Sequence, residues 1–116
     1  MADIIMKNWG PYHTYLLETY ETLEELRRNE HDPYKQLALD EQKKIIDKVE
    51  GLYRGYLGTI GTDHGTRFLR MLEAEQQNLN TRLKLNKIDY MFEALGAASK
   101  SLSTVKNRFV GFRLEQ

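Results

Sequence analysis

Residues 63–108 read DHGTRFLRMLEAEQQNLNTRLKLNKIDYMFEALGAASKSLSTVKNR, and the spacing of their apolar side chains decides the fold. Phe68, Leu72, Leu79, Leu83, Tyr90 and Ala94 recur at steps of four and seven, so that Phe68, Leu79 and Tyr90 stand eleven apart, as do Leu72, Leu83 and Ala94. An eleven-residue repeat advances about 3.67 residues per turn, close to a straight α-helix. A second stripe of Leu85, Ile88, Phe92, Leu95 and Leu102 begins midway on a different side. The spacing predicts a helix over 63–108 whose second half is apolar on two faces, central in a bundle or shared with a partner. The buried face changes at 84–87, where the helix is expected to bend or break. A break gives four helices, and a continuous segment gives a long helix against two shorter ones.

Upstream, Asn8-Trp9-Gly10-Pro11 reads as a turn, since proline suits the first turn of a helix. The first helix is therefore expected over 11–30, after a lead-in of residues 1–10 whose Ile4, Ile5, Met6 and Trp9 fold back on the bundle. Its stripe is Tyr12, Leu16, Tyr20, Leu23 and Leu26, with Glu18, Glu21, Glu24 and Glu25 opposite and Glu24–Arg28 a favourable i,i+4 pair. Asp32-Pro33 ends that helix and caps the next, expected over 33–57 with Tyr34, Leu37, Ala38, Ile45, Ile46, Val49, Leu52, Tyr53, Tyr56 and Leu57 as its apolar, inward set. Gly58 to Thr66, with three glycines, is the clearest loop. Downstream, residues 109–116 form an apolar tail in which Phe109, Phe112 and Leu114 need a docking surface, on this chain or another. The sum is one all-α domain, an antiparallel bundle of three or four helices.

Seventeen basic and seventeen acidic residues cancel, so no global field recruits nucleic acid or an anionic membrane. The distribution is uneven: eleven acids against seven bases up to Glu50, then six against ten. Antiparallel neighbours complementing each other accounts for this, and head-to-tail self-association is the sharper alternative. With no cysteine, thiolate metal sites and thiol catalysis are excluded. No apolar run of about 18 residues occurs, so no membrane partner is expected and the cytoplasm is the expected compartment.

The residues offer little to catalysis. His13, His31 and His64 make no Glu-x-x-His or His-x-x-x-His pair, and Ser99, Ser101 and Ser103 lie outside any nucleophile turn. No enzyme, cofactor or metal is expected. Gly96, Ala97, Ala98 and Ser99 suggest the close approach of another helix. The two-faced helix and the apolar tail together point to a non-enzymatic protein-interaction module, an assembly, adaptor or inhibitory protein. Its expected interface is Leu85, Ile88, Phe92, Leu95, Phe109, Phe112 and Leu114, and its partner another protein or a second copy of itself in a homo-oligomer. The alternative is a small nucleic-acid-binding regulator using the basic C-terminal half, where Arg67, Arg70, Arg82, Lys84 and Lys87 lie among aromatic residues.

Overall fold

The computed structural model describes residues 2–57 and 64–114, and the side chains of residues 10–56 and 64–111. Its elements are α1 (Ala2–Asn29), α2 (Pro33–Leu57), α3 (His64–Leu85) and α4 (Asp89–Leu114), with no strand among the described residues. Short connections between long helices impose antiparallel neighbours, and the cross-helix contacts give the register. Arg27 meets Asp40 and His13 meets Glu50 between α1 and α2. Lys48 reaches Glu75 between α2 and α3, and Lys106 reaches Glu73 between α3 and α4. The chain thus runs up-down-up-down. The helices α2 and α4 are parallel and pack most extensively on each other, while α1 and α3 flank them on opposite sides, their backbones kept apart.

Phe68 and Leu72 on α3, Leu16 on α1, Ile46 and Val49 on α2, and Leu102 and Val105 on α4 are wholly buried. Burying each such side chain contributes about 1.5–3 kcal/mol. At the end where α1 begins and α4 finishes, the core closes with one ring from every helix. Tyr12 lies 5.2 Å from Phe109 and 5.3 Å from Tyr53, and Phe68 lies 4.8 Å from Phe109, centroid to centroid. The Tyr12–Phe109 and Phe68–Phe109 pairs are edge-on, which suits the ring quadrupoles, and the Tyr12–Tyr53 pair is tilted. The Tyr12 hydroxyl donates to the Val105 carbonyl at 2.7 Å, so its burial leaves no orphaned donor.

Three boundaries differ from expectation, the starts of α1 and α3 and the end of α4, while the expected break is present. The helix α1 begins at Ala2, not after Pro11, which lies inside it. Proline's φ is helical, and α1 runs through Pro11 in place of the turn expected at 8–11 although the ring removes one backbone bond and crowds the preceding helical turn. The segment 63–108 breaks, as one of the two alternatives had it, at residues 86–88. The eleven-residue repeat therefore describes α3 only as far as Leu83; Tyr90 lies beyond the break and is half exposed. The helix α4 continues through 109 to Leu114, because Leu95, Ala98, Leu102, Val105 and Phe109 are all buried and extend one strip at steps of three and four. The loop expected over Gly58–Thr66 falls partly on residues 58–63, outside the described residues, while His64 to Thr66 already belong to α3.

Smaller expectations also change. The close packing expected over Gly96–Ser99 holds at Ala98, which is buried in the core, and not at Gly96, where a Cβ would meet nothing within 4 Å. Glu24 and Arg28 form no ion pair, and Arg27 bonds across to Asp40 at 2.9 Å instead. Leu26, counted in the inward stripe of α1, is half exposed near the end of that helix. Ser101 and Ser103 serve packing between helices, bonding Gln42 of α2 and Gln76 of α3.

Candidate interaction surface

The end opposite the ring cluster carries the α1–α2 and α3–α4 turns, and here large apolar side chains face outward. Both turns are fixed by their own side chains. In the first, Glu30 Oε1 accepts from the backbone N–H groups of His31 and Asp32, and Gln36 Nε2 donates to the Glu30 carbonyl. Asp32 Oδ1 then accepts from the Tyr34 N–H at 2.9 Å, the expected N-cap of α2. In the second, Asn86 closes both ways. Its Nδ2 donates to the Ile88 carbonyl at 2.7 Å and its Oδ1 accepts from the Ile88 N–H at 3.4 Å, an Asx-type turn. Met91 N–H then bonds the Ile88 carbonyl, leading into α4.

These two turns hold Tyr34, Leu85, Ile88, Tyr90 and Phe92 in solvent, with Leu85 73%, Tyr34 62% and Phe92 55% exposed. Tyr34 at the start of α2 touches Tyr90 at the start of α4, ring centroids 5.8 Å apart. The pair sits in a cleft of about 520 Å³ that Asp32, Lys35, Ala38, Asp89 and Glu93 also line. Asp32 and Asp89 complement the positive helix ends beside them, and Glu93 and Lys35 are exposed. Beyond Ile88 the surface turns basic, with Lys87 in the turn and Lys84 in the last turn of α3.

The residues expected at an interface divide. Leu85, Ile88 and Phe92 are exposed at this end, spread over the α3–α4 turn and the first turn of α4. Leu95 and Phe109 are core residues, 3% and 5% exposed, and offer no free surface. They extend the buried strip of α4, so the stripe that joined Leu95 to Phe92 in the sequence spans two sides of the helix. The side chains of Phe112 and Leu114 lie outside the described residues. Sequence reasoning missed Tyr34 and Tyr90, assigning both to inward stripes. The signal available for Tyr34 was its place two residues after a capping aspartate, where the first turn projects past its neighbours.

His31 precedes α2 and His64 follows it, at opposite ends of a 25-residue helix, so the two histidines do not converge. Among the described residues no group of three His, Asp or Glu side chains could hold a metal ion. His13 is engaged with Glu50 at 3.0 Å and stacked on Tyr53. Arg54 bonds the same Glu50 oxygen at 2.7 Å, which makes this group a brace between α1 and α2. The basic residues of the C-terminal half are dispersed: Arg67 and Arg70 lie near one end of α3, Arg82 and Lys84 near the other, Lys106 faces Glu73 and Arg108 lies over the Tyr15 ring. No described helix is long and apolar enough to cross a membrane.

Comparison of the chain with protein-family models, curated proteins and solved structures gave no match.

Proposed function

We propose that the chain is a non-enzymatic protein-interaction module that docks through the end of the bundle formed by its two hydrogen-bonded turns. One observation carries this reading: five large apolar side chains, Ile88 in a turn and four on the helix ends that flank the turns, stand in solvent where the turns are ordered by side-chain bonds. Mobile loops expose apolar residues at little cost, but here the backbone is fixed with the side chains already outward, which reduces the entropy lost on binding. Tyrosine is also among the residues that dominate binding energy at protein interfaces. Scattered single apolar residues on a surface mean little; a contiguous group at one end is what marks a contact site.

The test is affinity capture with the immobilised chain, comparing wild type with Phe92→Asp and with a control altered on the far side, Arg70→Glu. Captured proteins should be retained by the control and lost with Phe92→Asp, while circular dichroism shows all three chains equally helical. Identical capture by wild type and Phe92→Asp overturns the reading.

A further inference from the structure

We infer that the partner at this end is a second copy of the chain, joined end to end about a two-fold axis; the inference rests on the docking end proposed above. An isologous interface requires a patch that is complementary to itself, so each charged region must find its opposite in the same patch. This end meets that requirement. Its acids, Asp89 and Glu93, lie with Asp32 on the side where α2 and α4 begin. Its bases, Lys84 and Lys87, lie in the last turn of α3 and in the turn after it, outside the lining of that cleft, alternating along the chain with the exposed Leu85 and Ile88. A two-fold rotation about the apolar centre brings the bases of each copy onto the acids of the other. Among the described residues Lys84, Lys87, Asp89 and Glu93 make no ion pair within the chain, and Lys35 is the single cation inside the cleft.

The area is also of the right size. Taking roughly 200 Å² as the full surface of a large side chain, the exposed fractions of Tyr34, Leu85, Ile88, Tyr90 and Phe92 amount to roughly 600 Å². With the flanking charged side chains this approaches the ~800 Å² that each partner contributes to a stable complex. Among the described residues the lateral faces show no such centre. The outer side of α1 carries Glu18, Glu21 and Glu25 beside Leu17, and that of α3 carries Arg67 and Arg70, all exposed. Side-to-side contact would rest mainly on solvated charges, which contribute little. In the end-to-end pair, Lys87 of one copy approaches Glu93 of the other, at the rim of the Tyr34–Tyr90 cleft.

Sedimentation equilibrium of the full chain over a wide concentration range tests this. The wild-type chain is expected to pass from monomer to dimer on the order of micromolar concentration, and Phe92→Asp to weaken the dimer at least ~30-fold with helix content unchanged. Lys87→Glu and Glu93→Lys should each weaken self-pairing about tenfold, since symmetry repeats the unfavourable contact twice. Mixed in equal amounts they should dimerise about as well as wild type, because the two altered positions then face each other across the interface with opposite charge, and so do the two unaltered ones. A wild-type chain that stays monomeric, or a mixture no better than either variant alone, overturns the two-fold pairing. The wider docking reading is judged separately: it stands if Phe92→Asp still abolishes capture of a different protein, and falls if that capture is unaffected.

Discussion

Tyr34 and Tyr90 touch with ring planes inclined at 42°, yet about half or more of each side chain remains in water. A tilted ring pair is worth about 0.5–1.5 kcal/mol beyond its buried area, and little area is buried here. Tyr90→Ala should therefore cost no more than about 1 kcal/mol of stability, measured by urea unfolding. Its effect on docking should be larger than its effect on folding. A loss of several kcal/mol would show instead that the ring belongs to the core.

The opposite end behaves in the reverse way. Phe68 is wholly buried and meets Tyr12, Tyr53 and Phe109 edge-on. Phe68→Ala removes a ring from the point where all four helices converge, and should cost about 3–5 kcal/mol. Against a total stability of about 5–15 kcal/mol, that difference is visible as a large drop in the urea midpoint. Phe92→Asp, on an exposed position, should stay within about 0.5 kcal/mol of wild type. The contrast separates the residues that build the bundle from those the bundle presents.

Periodicity made the helices legible because burial selects residues at helical steps. The stripes through Tyr12, Leu16 and Leu23, and through Ile45, Ile46, Val49 and Tyr53, are buried as read. Periodicity alone was less informative where one helix stops and another begins in nearly the same phase. By count Tyr90 continues the repeat of Phe68 and Leu79, and Ala94 that of Leu72 and Leu83, although Asn86 turns the chain around before both. The candidate surface was half legible for a related reason. Apolar spacing says that Leu85, Ile88, Phe92 and Leu95 are near one another, but only the packing of the other helices decides which of them are covered. Leu95 is covered, and the other three are not.

Gly51 and Gly55 lie inside α2 with exposed backbones, and a Cβ at either would meet nothing within 4 Å. No described glycine has a positive φ, so neither residue is there for a conformation closed to other residues. Glycine in a helix interior is about 0.5–1 kcal/mol less favourable than alanine. Gly51→Ala and Gly55→Ala should each raise stability by about that amount, and additively within error, as read from the shift in thermal midpoint. Destabilisation by either would mean that something occupies that face in solution.

Burial raises the pKa of Tyr12 and Tyr53 well above the ordinary value of 10.0, and for Tyr12 the neighbouring Tyr15 and Tyr53 hydroxyls raise it further. Above pH 10 the unfolded chain releases these protons while the folded chain keeps them. The unfolded state then binds fewer protons, so stability falls as pH rises, by about 1.4 kcal/mol per tyrosine for each pH unit past 10. Below pH 10 this contribution is fully present. Tyr12→Phe loses the hydrogen bond to the Val105 carbonyl, which costs about 1 kcal/mol at pH 8, but it also removes one of the two groups that resist ionisation. Its stability should decline less steeply above pH 10, so that wild type and variant reach equal stability at about pH 11. Urea unfolding at pH 8, 10 and 11 reads this directly. Parallel curves for the two chains would mean that Tyr12 ionises as readily in the folded bundle as in the unfolded chain.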